Sequence, residues 1–235
     1  MNLFYSPVVS LGGTFLGEEE SRHCTRVLRL GVGDTIHLAD GTGNLFECVI
    51  RDANPKKCLV EVVSVKKEYK KRPFRLHIGI APTKNNDRFE WFLEKATEIG
   101  IDEITPVLCT HSERNRIKNE RMNKVLVAAM KQSLKAYLPV IHEAEEFARF
   151  IDREISGQKF IAYCETEQEA DLPKYYRKGE TATVLIGPEG DFSPEEILLA
   201  KIHDFIPISL GESRLRTETA GIVACHTINL LNSLK

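Results

Sequence analysis

The hydrophobic positions change rhythm near residue 70. Before it they alternate. In "DTIHLADGTGNLFECVIRDAN", Ile36 and Leu38 lead to a turn at Asp40-Gly41-Thr42-Gly43-Asn44, and Phe46, Cys48 and Ile50 resume the period of two. That pattern predicts a β-hairpin. "KKCLVEVVSVKKEY" predicts a further strand, so this part of the chain predicts a small barrel or open sandwich. One helix is expected here, in "GEEESRHCTRVLRL", where Glu18, Glu19 and Glu20 suit a first turn.

A charge run, "KKEYKKRP" (Lys66 to Pro73), marks a linker and divides the chain into domains 1–70 and 74–235. From Phe74 strands alternate with helices. "FRLHIGIAP", "EITPVLC", "KFIAYCE", "TVLIG" and "DFIPISL" are strands. "NDRFEWFLEKATEIGI" is a helix capped by Asn86 or Asp87, with Phe89, Phe92, Leu93, Ala96 and Ile99 on one face. "NKVLVAAMKQSLKAYLP" is a helix stopped by Pro139. In "SPEEILLAKIH", Ser193 is the N-cap, Pro194 the first helical residue, and Glu196 completes a capping box. "TETAGIVACHTINLLNSL" is the last helix; its narrow face of Ala220, Gly221 and Ala224 packs closely on another helix, within the chain or across a dimer. The alternation predicts an α/β fold, a parallel sheet with helices on both sides.

Composition adds exclusions. A formal net charge of -2 excludes a bulk polycation but leaves room for a local basic patch. The six cysteines form no C-x-x-C pair, and the seven histidines form no H-E-x-x-H, so no metal site is expected and the thiols are read as reduced. The N-terminus lacks signal-peptide order, and no apolar run approaches the roughly 18 residues of a membrane span. The expectation is a soluble, cytoplasmic protein.

In open α/β sheets ligands sit beyond the carboxyl ends of the strands. Two loops occupy such places: Gly187-Pro188-Glu189-Gly190-Asp191, and "ISLGESRLRTETAG" around Gly211. Neither matches a phosphate cradle. Glu189 and Asp191 would repel an anion, and Pro188 removes a backbone donor. Glycine still admits a flat ring. The loops are plain βα turns, or they hold a neutral or cationic adenine-bearing ligand such as S-adenosylmethionine. Arg214 and Arg216 flank Leu215, where they could clamp phosphate, stack on bases, or pair with Glu212 and Glu218. Two further basic groups stand out. Arg114, Arg116 and Lys118 precede a helix as a mobile basic loop, and Arg22, His23, Arg26 and Arg29 include three arginines at helical spacing. Such groups neutralise nucleic-acid backbone, or form a solvated face.

"LIGPEGDFSPEE" and "SLGESRLRTETA" together resemble the RsmE group of SPOUT methyltransferases. "RHCTRVLRLGVGDTIHLADGTG" is similar to the family's N-terminal PUA-like RNA-binding domain, and "KATEIGIDEITPVLCTHSER" with "AAMKQSLKAYLP" to the start of its methyltransferase domain. The resemblance covers the whole chain. It implies a SPOUT-type C-terminal domain with a deep trefoil knot, a small N-terminal PUA-like β-barrel, and a homodimer. It implies methylation of N3 of one uridine in 16S ribosomal RNA, position 1498 in the family's name, with the assembled small subunit as partner. It places S-adenosylmethionine against Ile186, Gly187, Pro188, Glu189 and Gly190, with Leu210, Gly211, Leu215, Arg216 and Thr217 as a second wall and Cys164 and Glu165 as a third. Arg216 and Glu218 become the catalytic candidates; Arg22, His23, Arg26, Arg29, Arg114, Arg116, Lys118 and Arg214 become RNA contacts. Two positions depart from the family pattern. Asp191 stands where glycine is usual, and Ser213-Arg214 displaces a basic residue by one place. Ribose 2′-O-methylation on the same fold, or a non-catalytic RNA-binding assembly factor, are the alternatives.

Overall fold

Leu3–Tyr5, for which the pattern predicts no element, form the first strand, β1. Helix α1 (Glu18–Arg22) follows, then β2 (Thr35–Ala39), β3 (Leu45–Asp52) and β4 (Leu59–Lys66). The structure, a computed structural model, describes residues 1–9, 12, 15–164 and 170–234. It divides into two compact units: residues 1–71 with 127–138, and residues 72–126 with 139–235.

In the first unit the strands pair in chain order, β1 parallel to β2 and the rest antiparallel. The predicted hairpin sets Ile36 against Cys48 and Leu38 against Phe46. All four are buried, with Phe4, Leu16 and Ile50, so the period-two residues make the core. The hairpin turn is held by Asp40, whose carboxylate accepts from the backbone of Thr42 at 2.8 Å and Asn44 at 3.2 Å. Burial would raise that carboxyl, but these bonds and the two side chains hold it below the usual range. Gly43 has φ 105°, and a Cβ there would lie 2.2 Å from the Tyr137 ring, so the turn admits only glycine. The helix expected through "GEEESRHCTRVLRL" is shorter. After α1 the chain widens into a π-helical turn, His23–Val27, closed by Leu28 N–H donating to the His23 carbonyl at 2.9 Å. Arg29 then turns left-handed at φ 56°, so it lies outside the helix that Arg22 belongs to.

The second unit begins with β5 (Leu76–Ile80), α2 (Asn86–Ile99) and β6 (Glu103–Leu108). The α2 cap is Asn85, one residue before the expected pair; its side chain accepts from Asp87 N–H at 2.9 Å. Helix α3 (Asn119–Gln132) ends seven residues before Pro139. Leu134 adopts φ 54° and Lys135 N–H returns to the Met130 carbonyl at 3.1 Å, a left-handed stop made without glycine. From Val127 the chain packs in the first unit, where Met130 and Ala136 join Leu3, Ala39 and Leu45 in a second small core. Then follow β7 (Val140–Ile141), β8 (Glu145–Glu146), α4 (Phe147–Ile151), β9 (Gln158–Ala162), α5 (Leu172–Tyr175), β10 (Ala182–Ile186), α6 (Pro194–Ile202), β11 (Ile206–Ile208) and α7 (Thr217–Ser233). The strands make one parallel sheet of order β11-β9-β10-β5-β6-β7, with β8 continuing beside β6. The buried strand β10 is apolar along its length apart from Thr183. Helix α7 lies on α2, and the narrow face predicted for it meets that helix within the chain: Gly221 sits against Phe92 and Ile80.

At the opposite end of this sheet from the strand C-termini, His77 lies near the start of β5. Its Nε2 is 2.8 Å from Thr105 Oγ1, and its ring packs on Phe150 and His142. Burial pushes the His77 imidazole down to about 4. An unfolded histidine titrates near 6.5. The neutral ring therefore contributes fully above about pH 6.5, and the contribution is lost as pH falls toward about 4, roughly 3 kcal/mol in all. Glu103 acts in the same sense lower down: burial raises its carboxyl, but His142, His77 and Arg75 hold it below the usual range. Its contribution is lost as pH falls through its folded value. Chemical-denaturation stabilities at pH 7 and pH 4.5 should differ by about 2 kcal/mol less in His77→Gln than in the parent. An unchanged difference would remove His77 from the acid response.

Candidate active site

Three neighbouring strands end together. Ala162 of β9 is in register with Ile186 of β10 on one side and with Ile208 of β11 on the other. The loops that follow, from Tyr163, from Gly187 and from Ser209, therefore start side by side at the carboxyl edge of the sheet. The order of strands alone brings Cys164, Ile186 to Gly190, and Leu210 with Gly211 to one place. Glu165 lies outside the described residues. Thr217, the first residue of α7, is buried and donates its hydroxyl to the Gly187 carbonyl at 3.0 Å. This bond fixes the second loop, and the helix after it, to the first.

The glycine loop is itself tightly built. Asp191 N–H closes a turn on the Pro188 carbonyl at 2.9 Å. The capping box on α6 is complete: Ser193 Oγ accepts from Glu196 N–H, and Glu196 Oε2 accepts from Ser193 N–H at 2.8 Å. The other Glu196 oxygen accepts from Thr110 N–H at 2.8 Å, which ties the end of β6 to the same loop. Glu189 accepts from the backbone of Lys84 at 3.2 Å.

Asp191 takes φ 61°, the left-handed conformation that glycine adopts without cost. The side chain offsets the strain. One oxygen accepts from Phe192 N–H at 2.8 Å and the other from Cys164 N–H at 2.9 Å. The departure from glycine thus fastens the β9 loop to the β10 loop. Asp191→Gly should keep the backbone and the fold while releasing Cys164. Calorimetric titration with S-adenosylmethionine is expected to show roughly tenfold weaker binding, the size of one charge-assisted hydrogen bond. Unchanged affinity would make the clamp irrelevant to the ligand.

Residues 186–191 and 209–213 contain no lysine or arginine, but they contain Glu189, Asp191 and Glu212. The edge offers backbone groups, open space at Gly211, and the apolar Ile186 and Leu215. That donor set suits a flat heterocycle with a positive charge and disfavours a phosphate.

Beside these loops the first turns of α2 and α7 line a cavity of about 350 Å³, walled by Asp87, Arg88, Trp91, Arg216, Glu218 and Thr219. Glu218 is buried, 7% exposed, and one of its oxygens, Oε2, has no hydrogen-bond partner among the described residues. Its other oxygen is 3.8 Å from Arg88 Nε. The cation nearest Glu218 is therefore Arg88, not the Arg216 that sequence spacing suggests. Arg88 and Trp91 are the residues that sequence reasoning missed. Each sits on the polar side of an amphipathic helix about 130 positions before Glu218; an aromatic ring there, on a face that burial does not require, is the available signal.

The basic residues divide between the two units. Arg22 is exposed and pairs with Glu18 at 2.8 Å, His23 packs edge-on against Phe4, and Arg26 and Arg29 are exposed. In the second unit Arg116, Lys118 and Arg214 are exposed. Arg114 is fastened: it donates to the Lys84 carbonyl at 3.0 Å and to the Asn86 side chain, so it braces the start of α2.

Residues 70–229 match the RNA methyltransferase domain family, and residues 16–63 match the RNA methyltransferase PUA domain family. A ribosomal RNA small subunit methyltransferase E of Rickettsia conorii is 30% identical over 88% of this chain and 85% of its own length. A Porphyromonas gingivalis protein, solved under the description "probable rRNA-methyltransferase", superposes with TM-score 0.93 at 44% identity, covering 99% of both chains. A Legionella pneumophila methyltransferase solved with bound cofactor SAM gives TM-score 0.85 at 27% identity, over 98% of this chain and 97% of that one.

Proposed function

The chain belongs to the ribosomal RNA small subunit methyltransferase E family, and from that premise we propose that it methylates N3 of a uridine in small-subunit ribosomal RNA. It is an S-adenosylmethionine-dependent ribosomal RNA methyltransferase, with a SPOUT-type α/β domain and an N-terminal PUA domain. The single observation that carries the finer reading is the buried Glu218 carboxylate with one oxygen unpartnered, next to Arg216 and one residue from the bond that anchors the glycine loop.

The chemistry follows. When bound, S-adenosylmethionine supplies a methyl group already activated by its sulfonium. Ile186 to Gly190, Leu210, Gly211, Leu215, Thr217 and the Cys164 backbone would hold it. The chain's own task lies on the acceptor. N3 of uracil carries a proton and is a poor nucleophile until that proton leaves. The Glu218 carboxylate takes it. Arg216 faces the charge that then spreads over the ring carbonyls. Positioning supplies much of the rest, through reacting atoms held about 3 to 3.5 Å apart. The base must be unstacked to reach such a site. Arg22, His23, Arg26 and Arg29 in one unit, with Arg116, Lys118 and Arg214 in the other, hold the flanking backbone. The family resemblance supports a C-terminal segment threaded as a knot. The resemblance supports a cytoplasmic homodimer acting on an assembled subunit, and no helix of the described residues is long and apolar enough to cross a membrane.

Transfer of labelled methyl from S-adenosylmethionine to small subunits lacking the modification, followed by nucleoside analysis, tests this. The expected product is 3-methyluridine. Label in a ribose would replace N3 by a 2′-oxygen as acceptor, and cofactor binding without transfer to subunits or naked RNA would leave the pocket with another substrate.

A further inference from the structure

The cavity between the starts of α2 and α7 holds more than a base and a cation. Glu218 is nine-tenths buried, yet its Oε2 meets no donor among the described residues, and its Oε1 stands too far from Arg88 for a hydrogen bond. Leaving a buried acceptor unsatisfied is costly, so the carboxylate is short of donors at the wall of the cavity. Trp91 lines the same cavity and is 43% exposed, a large indole that the core of α2 does not use. Arg88 and Arg216 bring two guanidinium forks. At about 350 Å³ the cavity falls within the range of small-molecule sites, roughly 300–1,000 Å³. Its complement is a flat ring with one N–H between two carbonyl oxygens: the N–H for Glu218, the carbonyls for the arginines, the π face for the indole.

Resting on the uridine reading above, we propose that this cavity receives the extruded uracil, with Trp91 and Arg88 of α2 as its positioning residues. Trp91 stacks on the ring. Arg88 turns from Glu218 to the carbonyl oxygen beside N3. The N3–H bond breaks, its proton goes to the Glu218 carboxylate, and the electron pair stays on the ring. That pair forms the bond to the methyl group, and the methyl–sulfur bond breaks to leave a neutral thioether, S-adenosylhomocysteine. Charge balances: the carboxylate and sulfonium are both neutralised.

Trp91 is the single tryptophan of the chain, so intrinsic fluorescence reports on it alone. The full chain, with S-adenosylhomocysteine present, is titrated with an RNA fragment spanning the methylated uridine and with the same fragment made abasic at that position. Quenching by the first and none by the second, with both bound by an independent assay, is the expected result. Equal quenching by both, or none by either, overturns the pocket. Trp91→Leu should raise the KM for RNA about tenfold, the worth of one lost stacking face. Its S-adenosylmethionine affinity and melting temperature should stay as in the parent, and Trp91→Phe should recover most of the loss. Arg88→Lys should lower kcat about tenfold with cofactor affinity kept, because an ammonium cannot reproduce the fork. A Trp91→Leu KM within twofold of the parent would sink the idea. The two readings fail separately. Formation of 3-methyluridine with a silent Trp91 leaves the activity and removes the pocket; methyl found on another acceptor, with quenching that still needs the base, does the reverse.

Discussion

Glu218→Gln is expected to lower kcat for RNA methylation by about a hundred- to ten-thousand-fold, the usual worth of a positioned proton acceptor. The amide keeps the volume of the side chain, so Arg88, Arg216 and the start of α7 keep their packing. It cannot take the proton from N3. The affinity for S-adenosylmethionine, measured by calorimetry, should be unchanged, because the glycine loop is held by Thr217 and not by Glu218. Stability should hold, since the substitution removes a buried charge whose Oε2 is already unpartnered. A kcat within threefold of the parent would exclude Glu218 as the proton acceptor and return the search to the RNA itself or to water.

The second large effect concerns the joint between α2 and α7. A Cβ on Gly221 would lie 2.6 Å from Phe92 Cε2 and 3.0 Å from Ile80 Cδ1, and both those side chains are fully buried. Alanine there would recover about 1 kcal/mol of helix propensity and blur the result. Valine recovers less and adds two methyl groups to a space that does not admit one. Gly221→Val should therefore destabilise the C-terminal unit by about 3 kcal/mol, the upper range for overpacking. At this chain length that is a fall of about 6–12 °C in melting temperature. A change of a degree or less would show that the two helices can part freely, and that their contact does not hold the candidate site together. Because Arg88 and Trp91 ride on α2 while Arg216 caps α7 and Glu218 lies in its first turn, the same variant should also lose activity below its melting transition.

Most of the frame was legible in the sequence, for reasons that particular residues show. The alternation around Asp40 and the Ser193-Pro194-Glu196 start are local patterns, and local hydrogen bonds decide them. The strand-helix alternation after Phe74 implied a parallel sheet, and the two glycine loops fell at strand ends, where the sheet order joins them. The misreadings lie where the backbone departs from ordinary signals. The α3 stop uses Leu134 in a left-handed turn, so Pro139 was taken for the boundary. The π-helical turn at His23–Val27 has no residue signature distinct from a helix. Asn85 caps α2 from within a run, Lys84-Asn85-Asn86-Asp87, where four residues in a row are polar. The elements β1, α4 and α5 are three to five residues long, too short for a period to show. Of the candidate site, the strand-end edge was readable because its residues are clustered in two motifs that the sheet order sets side by side. The partnership of Arg88 with Glu218 was not, because no local rule connects positions that only the packing of two helices brings within 3.8 Å.

The stretch from Val127 to Leu138 bears on how the protein is made. The first unit closes part of its interior with Met130 and Ala136, which the ribosome adds long after Lys71. A nascent chain that has reached Lys71 carries every strand of that unit, but Leu3, Ala39 and Leu45 still lack their cover. The unit synthesised first is thus completed only when more than half of the polypeptide has emerged. Truncation at the apparent linker should yield a sticky fragment, which chaperones would hold, and not an independent RNA-binding module.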